Sequence, residues 1–225
     1  MKMKLSLITL MFLFAASVTF AQSTENSNVS FGILGGVNFQ NLNGEDAGGD
    51  KLENSMIVGF HIGVNAQIPF APEFYFQPGL MFSTKGGENN EGLLTDTYKL
   101  SYIELPLNFV YKARLGSGYF MLGFGPYLAY GIGGKATFEG GPATIESDIE
   151  FKNEVEVGDP LTTVYFKPFD AGANIFFGYE LVSGPFIQLN AQLGMINIMP
   201  DDKRFPDNDA TIKNTGFGLS VGYRF

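Results

Sequence analysis

Eight segments of this chain alternate, residue by residue, between a large apolar side chain and a small or uncharged polar one. They are Phe31–Phe39, Gly59–Ile68, Phe74–Ser83, Tyr102–Lys112, Tyr119–Ile132, Phe169–Leu181, Phe186–Ile196 and Thr215–Phe225. A period of two is the period of a β-strand, and most of these runs have the length of a tilted membrane-spanning strand. In the first, Phe31, Ile33, Val37 and Phe39 oppose Gly32, Gly36 and Asn38. In the second, Phe60, Ile62, Val64 and Ile68 oppose Gly59, His61, Gly63, Asn65 and Gln67. In the last, Phe217, Leu219, Val221, Tyr223 and Phe225 oppose Gly216, Gly218, Ser220, Gly222 and Arg224. The second face is the informative one. A soluble sandwich carries Lys, Glu and Thr there, whereas Gly, Asn, Gln and Ser suit the narrow interior of a closed barrel whose apolar face meets lipid. A barrel also pairs every backbone polar group, as hydrocarbon demands. The expected fold is all-β: an eight-stranded antiparallel up-and-down transmembrane β-barrel.

The connections alternate in length. Pro69–Glu73, Ala113–Gly118 and Val182–Pro185 are short, and 40–55, 84–99, 133–168 and 197–214 are long. Short turns at one end and long loops at the other are the asymmetry of an outer-membrane barrel, with the long loops outside the cell. Those four loops hold 18 of the 23 acidic residues, so charge is kept off the strands. Phe74, Tyr111, Phe120, Tyr179, Phe186 and Tyr223 are candidate girdle positions at the interfaces. In the third loop, Thr137–Ile145 reads as a hairpin around Gly140-Gly141. Beyond it, Ile145, Ile149, Phe151, Val155 and Val157 alternate against Asp148, Glu150, Lys152, Glu154 and Glu156. Asp148, Glu150, Glu154 and Glu156 are the candidate contact residues of this loop, against the plainer reading that acid keeps an exposed ribbon solvated.

Lys2 and Lys4 precede an apolar run to Phe20 and a small residue at Ala21, the pattern of a secretory signal peptide. Residues 1–21 are therefore expected to be an address and 22–225 the barrel domain. No later segment offers about 18 uninterrupted apolar residues. With charged residues at 16%, 29 Gly, no Cys, one His and a net charge of −9, the chain offers no basic stripe for nucleic acid, no disulfide framework and no thiolate zinc site. No cofactor or metal is expected. Gly218-Leu-Ser-Val-Gly222 matches the nucleophile-elbow pattern without the strand-to-helix turn that an elbow requires, so Ser220 reads as a small lumen residue. The glycines of 123–134 form no phosphate loop. Asp201-Asp202 and Asp207-Asn-Asp209 lack the glycine and distal Glu of a calcium loop.

The charges on the inward face form the most informative polar set. With odd-numbered strands running outward, Lys112, Glu180 and Arg224 fall near the periplasmic mouth. Glu104, Asp170 and His61, with Lys85, fall near the outer one. Charges inside a narrow barrel must pair, and pairing fills the lumen. The competing reading makes Glu104 and Asp170 an acid pair in a lumen enzyme.

Gly35-Gly-Val-Asn38, Phe76-Gln-Pro-Gly-Leu80, Tyr102-Ile-Glu-Leu-Pro-Leu107, Gly123-Phe-Gly-Pro-Tyr127, Phe169-Asp-Ala-Gly-Ala-Asn174 and Gly222-Tyr-Arg-Phe225 occur in this order along the chain. In them the chain resembles the PorT-like outer-membrane β-barrel family of the Bacteroidetes. The resemblance implies an eight-stranded barrel inserted by the outer-membrane barrel assembly machinery, for which Tyr223 and Phe225 resemble the terminal recognition signal. It implies little about activity. The function expected is that of a non-enzymatic, monomeric envelope protein in outer-membrane lipid, acting through its extracellular loops on an envelope protein, an extracellular protein or a glycan. A narrow pore or small-solute carrier is the alternative, and a soluble secreted ligand-binding barrel the weaker one.

Overall fold

In the computed structural model the described residues are 29–46, 48–91, 94–205 and 210–225. The expected signal peptide lies outside them. Among the described residues the strands are β1 (Ser30–Glu45), β2 (Ile57–Ala71), β3 (Phe74–Glu91), β4 (Leu94–Leu115), β5 (Gly118–Gly140), β6 (Ala143–Phe151), β7 (Glu154–Val155), β8 (Val164–Phe166), β9 (Phe169–Leu181), β10 (Pro185–Gly194), β11 (Asp201–Asp202) and β12 (Thr211–Arg224). The sheet runs β4-β3-β2-β1-β12-β10-β9-β5, and β5 pairs back onto β4, so eight strands close into a ring. Each neighbouring pair in that ring is antiparallel. Closure leaves no free edge within the ring.

Burial is inverted relative to a soluble protein. Ile62 is 61% exposed and Phe177 52%, while Gln67 and Glu104 are at 0% and Lys85 at 1%. Phe31, Ile33, Phe60, Val64, Phe124, Ile175, Leu189, Phe217 and Val221 continue the exposed apolar wall. An apolar surface of this extent is stable only against another apolar phase, and lipid supplies one. The lumen is nonetheless not uniformly polar. Leu34, Val110, Met121, Phe176 and Phe186 pack together toward the short-turn end. Leu42, Leu100, Tyr102, Tyr127, Ala136, Ile149, Phe166 and Ile198 fill the long-loop end.

The short turns are set by backbone chemistry. Gly116 (φ 58°) and Gly184 (φ 104°) take left-handed conformations at the β4–β5 and β9–β10 turns, and Glu73 (φ 66°) does so at the β2–β3 turn. The other end departs from the sequence expectation. Strands continue into the segments read as the loops 40–55, 84–99 and 133–168, because ladder hydrogen bonds persist where lipid no longer enforces the apolar alternation. β3, β4 and β5, at 18, 22 and 23 residues, run roughly 25–40 Å along the strand past a spanning length. The β5–β6 hairpin turns beyond Gly140, pairing Gly140 with Ala143, and β8 adds a parallel strand to β6. Ile145–Val157 is not one ribbon: β6 stops at Phe151, and Ile145 and Val157 face solvent while Ile149 and Val155 are buried. Phe186 is corrected too. It falls on the lumen phase, where Gly222 leaves room for its ring, so it is not a girdle residue.

Gly125 is required by close packing of β5 on β4: a Cβ there would lie 2.0 Å from the Leu107 carbonyl oxygen. Gly133, by contrast, has nothing within 4 Å of the same position. Gly125→Ala should lower unfolding stability by about 1–3 kcal/mol, read as the loss of heat-modifiable gel mobility with denaturant. Gly133→Ala should stay within about 0.5 kcal/mol of the native chain. Equal melts for the two variants would contradict the packing described.

Candidate functional site

At the short-turn end, three charged side chains from three strands meet. The Glu180 carboxylate (β9) accepts from Lys112 Nζ (β4) at 2.7 Å and from Arg224 Nε (β12) at 2.9 Å. Lys112 also donates to Gln67 Oε1 at 3.2 Å, and its ammonium lies over the rings of Tyr75 and Tyr119. Arg224 donates to Asn65 Oδ1 at 2.9 Å and to Gln77 Oε1 at 3.3 Å, and stacks on Phe186. Two cations thus share one carboxylate, with neutral amides of Gln67, Asn65 and Gln77 accepting from further donors.

Toward the long-loop end the imbalance is reversed. Lys85 Nζ (β3) lies 2.9 Å from Glu104 Oε1 (β4) and 3.1 Å from Asp170 Oδ2 (β9), all three side chains at 0% exposure. Tyr127 OH donates to Asp170 Oδ2 at 3.2 Å, and its ring faces the ammonium at 4.1 Å. Asn214 Nδ2 donates to the same oxygen at 3.0 Å, and Gln192 Nε2 to Glu104 Oε2 at 2.9 Å. Here one cation serves two carboxylates. Across the lumen the two imbalances offset.

Between the clusters lies a chamber of about 60 Å³, lined by amides, His61 and Ser220 and by the apolar side chains of Leu34, Met81, Pro106 and Phe176. His61 Nδ1 contacts Asn38 Oδ1, and its Nε2 is 2.7 Å from Ser220 Oγ. Asn38 Nδ2 is committed to Ser83 Oγ at 3.2 Å and the Thr84 carbonyl at 3.4 Å, so Asn38 presents its oxygen to the ring. His61 therefore donates from Nδ1 and accepts the Ser220 hydroxyl at Nε2. Ser220 in turn accepts from Asn190 Nδ2 at 2.7 Å. This is the tautomer and order of a Ser–His–Asn nucleophile. Acyl transfer further needs an electrophilic carbon in reach and space for a leaving group. A chamber with room for a few waters, flanked by buried ion clusters, provides neither. The arrangement locks the interior.

Sequence reading placed His61 with Glu104 and Asp170; its hydrogen bonds run instead to Asn38 and Ser220. Gly36 pairs with His61 on one side and with Ser220 on the other, so cross-strand register brings them together. A Cβ at Gly36 would sit 2.8 Å from the His61 ring. Lys85 belongs to β3 and the lumen rather than to a loop. Glu104 and Asp170 come together through Lys85. Tyr223 and Phe225 face outward with ring centroids 5.0 Å apart, and the Phe225 amide donates to the Phe31 carbonyl.

Two of the four acidic candidates of this loop, Glu154 and Glu156, are engaged by a neighbouring lysine, and Asp148 and Glu150 stay exposed. Lys203 pairs with Glu154 at 3.0 Å and Glu156 at 2.8 Å, and Arg204 with Asp202 at 2.6 Å. Arg204 also donates to the Pro160 carbonyl at 2.7 Å. β7 pairs with β11 in parallel, tying the third long connection to the fourth. Lys152 lies 2.7 Å from Asp159 and 4.0 Å from Glu150; Asp148 is the ladder neighbour of Lys135 on the β5–β6 hairpin, but the Lys135 ammonium pairs with Glu146 at 3.2 Å. Asp207 and Asp209 lie outside the described residues. The Lys152 ammonium and the Glu156 amide hold the Asp159 carboxyl below the usual carboxylate range, and Arg204 does the same for Asp202. The folded loops therefore bind fewer protons than the unfolded chain. This contribution is complete above the ordinary carboxylate range and is lost as pH falls through the depressed values. The hydrogen-exchange protection factors of the Glu156 and Arg204 amides, each bonded to one of these carboxylates at 2.9 Å, should fall selectively in acid. Unchanged protection would contradict the clamp.

Glu180→Gln removes the carboxylate from between two buried cations and should cost about 3–5 kcal/mol in unfolding experiments. Ser220→Ala should cost about 1–3 kcal/mol by leaving His61 and Asn190 short of a partner. A fluorophosphonate probe should leave Ser220 unlabelled in the folded barrel, whereas labelling there would restore the enzymatic reading.

Residues 20–198 match the family model described as the outer membrane protein beta-barrel domain. No curated protein matches the chain. Among solved structures, the attachment invasion locus protein Ail of Yersinia pestis aligns at 14% identity and a TM-score of 0.39, over 87% of this chain and 98% of that one. Ail in complex with the heparin analogue sucrose octasulfate aligns at the same identity and score, over 88% and 99%. The P. putida toluene transporter TodX aligns at 10% identity and a TM-score of 0.22, over 89% and 90%. These likenesses are distant, and the assignment rests on the family match.

Proposed function

We propose, from the premise that this chain belongs to the outer membrane protein beta-barrel domain family, that it is a plugged surface platform: a non-enzymatic barrel that acts through its extracellular loops. Its place is the outer membrane. Within the family, the motifs from Gly35–Asn38 to Gly222–Phe225 favour a PorT-like barrel of the Bacteroidetes. Such a chain carries a cleaved signal over residues 1–21 and a terminal Tyr223/Phe225 signal for the assembly machinery.

The observation that carries the platform reading is the filled lumen. Both ion clusters and one apolar cluster are built from ring strands, the other apolar cluster adds Ile149, Phe166 and Ile198 from outside the ring at the long-loop end, and the chamber of about 60 Å³ between the ion clusters is too small for an organic solute. The long-loop end supplies the contact surface. Its β3–β6 extension and clamped loops are held by paired charges, and a pre-ordered surface loses little entropy when it binds. The expected ligand is an extracellular or envelope protein or a glycan, met by a monomer. The exposed band of Phe, Ile, Leu and Val disfavours the soluble secreted barrel.

Bacteria displaying the chain should bind to an array of extracellular-matrix proteins and glycans. Replacing residues 152–163 with a short Gly-Ser turn should abolish that binding while heat-modifiable mobility persists. Undiminished binding by the folded loop variant would sink the proposal.

A further inference from the structure

The outward wall over β5, β9, β10 and β12 is not evenly padded. Adjacent strands place Phe124, Ile175, Ala191 and Phe217 in one cross-strand row and Pro126, Ala173, Leu193 and Thr215 in the next. Other outward positions of β9 and β10 carry Phe169, Phe177, Ile187 and Leu189. Ala173 and Ala191 leave a dent in that wall, and Met56 overhangs it from the first long connection. The resulting groove has a volume of about 820 Å³, within the range of small-ligand sites.

One end of the groove differs in chemistry from the rest. Thr215 stands opposite Asn41, and the next outward pair toward the long loops is Lys213 opposite Asn43. Lys213 makes no ion pair among the described residues and stands one outward position beyond Thr215, opposite Asn43, where the groove lining ends. An apolar trough ending in a carboxamide, with an ammonium one position beyond it, is complementary to an amphiphile with an anionic head.

We propose that this groove binds one phosphate-bearing membrane lipid, its acyl chain over Ala173 and Ala191 and its phosphate at Lys213. The occupant is a lipid of the leaflet on the long-loop side, since Lys213 lies at that end only. A neighbouring barrel would bring a convex apolar wall with no anion for Lys213. Basic side chains at an interface attract anionic headgroups, and the dent supplies the apolar half of the recognition. The inference rests on the reading of this wall as membrane-spanning.

The test uses the full-length mature chain inserted into vesicles of equal phosphatidylcholine and phosphatidylglycerol, with insertion verified by heat-modifiable mobility. Native mass spectrometry of the extracted protein should show one phosphatidylglycerol retained several-fold over phosphatidylcholine. Lys213→Gln should bring the two lipids level, and Ala191→Phe, which fills the trough, should reduce retention of both. Lys135→Gln, a lysine on the β5–β6 hairpin, should change nothing. Equal retention of the two lipids by the native chain, or native-like retention by a folded Ala191→Phe variant, would overturn the groove. A native chain that fails to insert would overturn the membrane-spanning reading and the groove with it.

Discussion

The pairing of charges across the barrel axis is the interaction on which the rest of the molecule depends. Lipid on the outside requires apolar side chains on one phase of every ring strand, and eight strands leave an interior only wide enough for side chains. Polar residues on the other phase have no bulk water to turn to. Each charge must meet its opposite from another strand, as Glu180 meets Lys112 and Arg224 and Lys85 meets Glu104 and Asp170. Such pairs are poor sources of net stability, yet removing one partner is costly. They therefore act as registration pins: a strand that slips by one residue turns its charged side chain into lipid.

The two clusters also determine what the interior can do. Two cations share a carboxylate at one end and two carboxylates share a cation at the other, so the lumen is charged locally and neutral in sum. The chamber between them is lined by amides whose hydrogen bonds fix His61 and Ser220. A catalytic constellation can thus be present in geometry and lack the space that chemistry requires. On the loops the same pairing recurs in part: Lys203 engages Glu154 and Glu156 where one loop meets another.

Much of this was legible in the sequence. The outward phase of β1, β2 and β12 follows from the alternation of Phe31–Phe39, Phe60–Ile68 and Phe217–Phe225, because period two maps directly onto the faces of a strand. The meeting of Lys112, Glu180 and Arg224 follows from their common phase and common end. What failed to show depends on cross-strand register. His61, Asn38 and Ser220 lie on three strands, and their meeting needs β1 placed between β2 and β12. The length of β3, β4 and β5 was hidden for a different reason: above the membrane the apolar constraint lapses, so Lys85 and Gly133–Gly140 look like loop although they remain in the ladder. Phe186 misled because an aromatic at a strand end reads as a girdle residue, and only Gly222 opposite it reveals the space inside.

In this structure side-chain pairing closes the lumen. Planar-bilayer conductance tests it most directly, using refolded protein whose gel mobility shifts on boiling. A silent membrane is expected for the native chain at neutral pH. A small, steady and reproducible conductance from properly folded barrels would contradict it, and would mean that continuous water passes both Lys85 and Glu180.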